Sequence, residues 1–239
     1  MMATSKAPLI GILRWEEGCV PRGLMQLEEL RGNSTNPETF EFPVKYAFVK
    51  GANVHTILEN PCPKVLQTMI SEARKMEEQG VRAITTSCGF NAIFQRELAD
   101  AVNIPVFTSS LMQIPFVQNI LSKQRTVGVI TARKSALTAK HLQNAGIQNQ
   151  DSIYVEGLEE TEWKKIHLTP DEDLDVAQVK QDIIQLACSM MEKSDIGAFV
   201  LECTDLPPFA EAIRKTTGRP VFDFVTLTNY AYQAIQGSL

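Results

Sequence analysis

No apolar run in this 239-residue chain approaches the roughly 20 residues that a bilayer-spanning helix needs, which argues against a membrane role. No cluster of Lys or Arg stands out against a net charge of −5, so the basic field required by nucleic acid is missing. The three histidines (His55, His141 and His167) show no metal-ligand spacing and read as surface or capping residues. The five cysteines form no CxxC or Cys/His cluster, so no zinc site is expected. Neither a GxGxxG nor a P-loop pattern is present, nor a local signal for a pyridoxal-phosphate lysine, and no cofactor is expected. The first residues, MMATSKAPLIGILRWEEG, lack the apolar core and small-residue cleavage site of a secretory leader. An odd number of dispersed cysteines then fits a reducing compartment, and the expectation is a cytoplasmic protein with free thiols.

What the chain does have is alternation. Short β-branched runs at 9–13, 81–87, 126–130 and 196–202 are separated by amphipathic stretches. In 63–79, Val65, Leu66, Met69, Ile70, Ala73 and Met76 share one helical face, with Pro63 at the start and Gly80 just past the end. Such alternation predicts parallel sheets covered by helices. Laid without a gap over 197–222, residues 82–107 place Cys88 on Cys203, Phe94 on Phe209, and Pro105-Val106-Phe107 on Pro220-Val221-Phe222. IGIL at 10–13 likewise matches VGVI at 127–130. The expected fold is α/β, two pseudo-symmetric parallel-sheet domains with the active site in the cleft between them. If the C-terminal helix returns to the first half, the domains are 1–108 plus 223–239 and 109–222. Residues 31–45, rich in Gly, Asn, Ser and Pro, interrupt the repeat as a long loop, either functional or a solvated insertion. Residues 149–175 read as irregular, with the acidic DEDLD run as a solvated helix start.

Each repeated cysteine ends a strand and is expected to open a helix, at the sheet edge where α/β folds bind ligands. The N–H groups of a helix start bind a carboxylate and lower a thiol pKa from about 8.5 toward neutrality. Gly89 permits close backbone approach to a ligand. Two opposed thiols beside a carboxylate nest suit one reaction: one removes an α-proton and the other protonates the opposite face. Charge building on the carboxylate would be stabilised by the backbone around Cys88-Gly89-Phe90 and Cys203-Thr204, with Ser87 and Asn91 as side-chain candidates. Cys62, between two prolines, and Cys188, on an amphipathic stretch, read as structural, and nothing distinguishes Cys19.

At these residues the chain resembles the aspartate/glutamate racemase superfamily, which includes hydantoin racemase, maleate isomerase and arylmalonate decarboxylase. LECTDLPPF at 201–209 resembles the second-cysteine motif, TTSCGFN at 85–91 stands where the first belongs, and GVIT at 128–131 resembles the strand that brings a threonine to the substrate. The resemblance implies a cofactor-independent racemase or epimerase, often dimeric, acting on a small carboxylate. Cys88 and Cys203 match its catalytic cysteines, and Thr204 and Thr131 its substrate-binding threonines. Several positions depart from the pattern. Gly89-Phe90 replaces an Asn-Thr pair, Asp205 replaces a His or Glu, and ILRWEEG lacks an Asp-Ser pair, leaving Arg14 there as a candidate partner for a carboxylate. Hydantoin racemisation and cis–trans isomerisation of a diacid are the alternatives within the superfamily. A non-catalytic protein that binds a small carboxylate is the alternative outside it.

Overall fold

The computed structural model describes residues 7–237. Residues 1–6, part of the stretch read for a leader, lie outside the described residues. Two four-stranded sheets, both wholly parallel, organise the chain. The first contains β1 (Ile10–Arg14), β2 (Val44–Phe48), β3 (Ala83–Thr86) and β4 (Val106–Phe107), in the order β2-β1-β3-β4. The second contains β5 (Thr126–Thr131), β6 (Ile153–Gly157), β7 (Ile196–Leu201) and β8 (Val221–Phe222), in the order β6-β5-β7-β8. Each sheet reproduces the other strand for strand, as the repeat predicts.

β3 and β7 are buried along their whole length, which suits strands covered on both faces. The edge strands β2, β4, β6 and β8 were not read from sequence. Two are only two residues long, and the pattern of the other two is mixed. The helix predicted at 63–79 spans Pro63–Glu78 and buries Val65, Leu66, Met69, Ala73 and Met76. The stretch 149–175 is more regular than expected. It holds β6, a 3-10 turn at Glu162–Lys164 and a short helix at Lys165–Leu168. The DEDLD run ends as anticipated, with Asp175 accepting the Gln178 N–H at 3.0 Å to cap the helix Val176–Lys193.

Helices cross between the halves. Leu111, Ile114 and Val117 follow the first sheet in sequence but pack with Val127, Val129, Ala198 and Val200 of the second. Phe224, opening the last helix Phe224–Ile235, packs with Ile10, Ile12, Ala83 and Phe107 of the first. A larger core cluster is continuous across both sheets and includes both repeated cysteines. Loop 31–45 is no solvated insertion. Asn33 and Ser34 are fully buried, and Phe42 stacks on Tyr232 of the last helix with ring centroids 3.6 Å apart.

The return of the last helix to the first sheet depends on Phe224, which is fully buried. Replacing Phe224 by Ala should lower unfolding free energy by about 3–5 kcal/mol in chemical denaturation, as expected for loss of a core aromatic ring.

Candidate active site

The two sheets end at one place. β3 finishes at Thr86 and β7 at Leu201, and Cys88 and Cys203 each follow two residues later. Two contacts join these ends across the halves. The Thr204 hydroxyl donates to the Ser87 carbonyl oxygen at 2.6 Å. Gly89 lies directly on Glu202, so that a Cβ at residue 89 would overlap the carbonyl oxygen and Oε1 of Glu202. Both thiols line one narrow, mostly apolar cavity, with about 50 Å³ open to the centre of a water-sized group. Ser87, Gly89, Phe90, Thr204 and Arg14 line it too.

The remaining two expected contacts stand behind that wall. Thr131 is fully buried and donates to Glu202 Oε2 at 2.8 Å. Asn91 is buried, and its backbone N–H donates to the Cys88 carbonyl at 3.1 Å. Arg14 reaches the cavity already paired, its Nη2 held by both oxygens of Glu28 at 2.9 and 3.0 Å.

Two expectations about the thiols need correction. Cys88 opens a 3-10 helix, Gly89–Phe94, and Cys203 opens a turn that reaches its α-helix, Ala210–Thr217, only after a 3-10 turn at Pro207–Phe209. At Cys88 the helix start is thus a 3-10 segment that runs into the short α-helix Gln95–Ala99, and at Cys203 the α-helix begins several residues too late to face the sulfur. Burial dominates instead and holds both thiols well above their ordinary value. The nearby carboxyls of Glu202 and Asp205 act in the same direction. Opposing them, each sulfur faces the backbone N–H two residues on, Phe90 for Cys88 and Asp205 for Cys203. The buried Trp15 indole N–H has no partner of good hydrogen-bond geometry, yet it stands close enough to favour the Cys88 thiolate.

Several residues at the site escaped the sequence reading. Asp205 lines the cavity and accepts from the Asn33 amide at 2.7 Å and from the Cys203 thiol at 3.5 Å. Burial pushes its carboxyl up to about 6. Its only sequence signal was a departure from the family's second motif. His167 also lines the cavity, with a pKa lowered chiefly by burial, so it is neutral near pH 7. Trp15 and Trp163, the two tryptophans of the chain, both form part of the wall, and their scarcity was a usable clue. His55 pairs with Glu59 on the surface, and His141 is buried in a capping box with Thr138, as a capping histidine should be.

The family model for Asp/Glu/hydantoin racemases matches residues 59–229. The chain belongs to that family. Its racemase fold is shared with allantoin racemase from Pseudomonas fluorescens, at 16% identity and a TM-score of 0.61, covering 94% of this chain and 90% of that one. An aspartate racemase homologue from Pyrococcus horikoshii OT3 is similar at 18% identity and a TM-score of 0.59, covering 96% and 100%. Similar sequences carry a different name. A dimethylsulfoniopropionate lyase from Durusdinium sp. clade D is 29% identical over 84% of this chain and 69% of its own length. Dimethylsulfoniopropionate lyase 3 from Emiliania huxleyi is 29% identical over 93% of this chain, which spans 58% of that relative.

Glu202 gives this site a pH-dependent stability. Burial raises its carboxyl from 4.5 to about 7. The folded chain therefore favours the protonated form, whereas the unfolded chain ionises near 4.5. That stabilisation is complete below about pH 4.5 and is lost as pH rises through 7. The Glu202→Gln variant has nothing to ionise there. Its unfolding free energy relative to the native chain should improve between pH 4.5 and 8, by up to about 3 kcal/mol, when followed by urea unfolding.

Proposed function

We propose that this chain is an enzyme that removes the proton from the carbon next to a carboxylate, with Cys88 and Cys203 as its proton-transfer pair. The observation that carries this reading is that both thiols line one cavity where two equivalent parallel sheets end. The α C–H bond breaks, its electrons pass into the carboxylate, and one sulfur gains the proton. Delivery of a proton from the other sulfur to the opposite face completes a cofactor-independent racemisation or epimerisation. Each positioned acid or base contributes roughly 10²–10⁴-fold.

The buried resting thiols are protonated, so a base has to be made. Asp205 meets that need for Cys203. Its carboxylate accepts the thiol proton at 3.5 Å and leaves a thiolate facing the cavity. Cys88, whose sulfur has no hydrogen-bonded carboxylate among the described residues, is suited to act as the acid. Charge in the wall also constrains the substrate. Arg14 and Glu28 neutralise each other, which leaves one unbalanced negative charge, shared by Asp205 and Cys203, in the wall that also holds Trp15 and Trp163. That arrangement supports a substrate with a cationic group as well as its carboxylate. It disfavours a second carboxylate, and with it cis–trans isomerisation of a diacid.

A second reading is supported by the relatives named as dimethylsulfoniopropionate lyases. The same α-carbanion, with a sulfonium on the β-carbon, forms a C=C bond as the C–S bond breaks. The electron pair leaves on neutral sulfur. For dimethylsulfoniopropionate the products are acrylate, dimethyl sulfide and the proton held on the thiol. One base is enough for this outcome.

The test is α-hydrogen exchange in D₂O across L- and D-amino acids, hydantoins and dimethylsulfoniopropionate, with chiral analysis and headspace detection of dimethyl sulfide. Exchange with inversion supports racemisation, and sulfide release supports elimination. Cys88→Ser and Cys203→Ser should each lower racemisation at least 100-fold, whereas elimination should depend far more on one cysteine than on the other. Unchanged rates in both variants would exclude thiol proton transfer. No exchange with any of these compounds would favour the non-catalytic binding protein.

A further inference from the structure

Loop 31–45 interrupts the repeat, yet its most buried residues lie against the turn that follows the second cysteine. Asn33 is fully buried and belongs to the first half of the chain, between β1 and β2. Its side-chain Nδ2 donates to Asp205 Oδ1 at 2.7 Å, while Oδ2 of the same carboxyl takes the Cys203 thiol. The orientation of the amide is determined by its other end. Asn33 Oδ1 accepts from both the backbone N–H and the hydroxyl of Thr35, each at 3.0 Å. An amide whose oxygen is doubly occupied by donors has only its NH₂ left to face a carboxyl.

The loop is seated by main-chain contacts on either side of this bond. The Ser34 N–H donates to the Thr204 carbonyl at 3.3 Å, and the Thr39 hydroxyl donates to the Asn33 carbonyl at 2.6 Å. Gly32 has φ +106°, and a Cβ there would stand 3.1 Å from the backbone nitrogen of Pro208. Both the positive φ and the close approach to the turn after Cys203 favour glycine at that position.

We propose that Asn33 is a positioning residue for Cys203, holding the Asp205 carboxylate against the thiol from the opposite half of the molecule. This rests on the proton-transfer reading of Cys203 given above. A neutral donor on Oδ1 favours the ionised carboxylate that burial disfavours, and it aims Oδ2 at sulfur. The other charged and titratable groups around this carboxyl are Arg14 and Glu28, themselves paired, with Glu202 behind the cysteine and His167 across the cavity. The side-chain hydrogen bonds to Asp205 come instead from Asn33 and the Cys203 thiol. Without Asn33 the carboxyl loses its strongest ionising partner and one of the two contacts that fix its plane.

The experiment follows the Asp205 carboxyl directly, by ¹³C NMR of aspartate-labelled protein, with the signal assigned through Asp205→Asn. In Asn33→Ala the titration midpoint of Asp205 should rise by about one to two pH units. The acidic limb of Cys203-dependent α-hydrogen exchange should move with it, and kcat should fall more than KM rises. Thr35→Val, which removes one donor that orients the amide, should shift the midpoint in the same direction by less. It replaces Asn33→Ala as the test if that variant does not fold. A folded Asn33→Ala whose Asp205 midpoint stays at the native value overturns the proposal, even if exchange is lost, since that loss would then be structural. If the native chain exchanges no substrate, the proton-transfer reading fails, while the NMR midpoint still decides whether Asn33 governs Asp205.

Discussion

Gly89 against Glu202 is the contact on which the site depends. It brings the turn after β3 onto the end of β7 at a distance that no side chain at residue 89 would permit. The Thr204–Ser87 hydrogen bond joins the same two turns. Together they make the meeting point of the sheets a shared, buried wall. Because the turns close on each other, the thiols are desolvated and resist ionisation, and Glu202 and Asp205 favour protonation. The apolar cavity, the protonated thiols and the raised carboxyls are thus consequences of one packing decision, the close approach of two strand ends.

That origin explains which parts of the molecule were legible in the sequence. The central strands β1, β3, β5 and β7 carry continuous apolar, β-branched runs because they are covered on both faces, and the gapless repeat between them reflects a real equivalence of sheets. The edge strands β4 and β8 have two residues each, too few for any periodicity to register. The cysteines were legible because they recur at equivalent positions. Their electrostatics were not. A strand followed by an amphipathic stretch looks the same whether the chain enters an α-helix directly, as expected at Cys203, or through a turn and a 3-10 segment, as found there. Burial, which sets the direction of the thiol shifts, comes from residues far away in sequence.

The same limit applies to the cavity wall. Trp15 and Trp163 come from opposite halves, as do Arg14 and Asp205, and no local pattern announces their meeting. Asn33 illustrates the point most clearly, since it lies 172 residues from the carboxyl it contacts. The composition of loop 31–45 suggested either function or solvation, and only its burial decides between them. A polar loop in solvent does not bury an asparagine completely. Burial of an amide calls for partners, and the Asn33 amide finds them in Thr35 and Asp205.

Where the repeat breaks, the chemistry becomes directional. Two residues after Cys203 stands Asp205, and two residues after Cys88 stands Phe90. Both supply a backbone N–H to the sulfur before them, so the main chain keeps the twofold relation while the side chains abandon it. A carboxylate hydrogen-bonded to the Cys203 thiol, where the equivalent position after Cys88 carries a phenylalanine, makes a pair of unequal acids. On the proposed reading, that inequality creates a base at Cys203 without a charged helix start and leaves Cys88 protonated opposite it. A racemase needs both members of the pair in alternation, so unequal partners give it a preferred direction of first proton removal. An eliminating enzyme needs only the better base. On that reading, the side-chain asymmetry at residues 90 and 205 gives a twofold main chain a preferred face for proton removal.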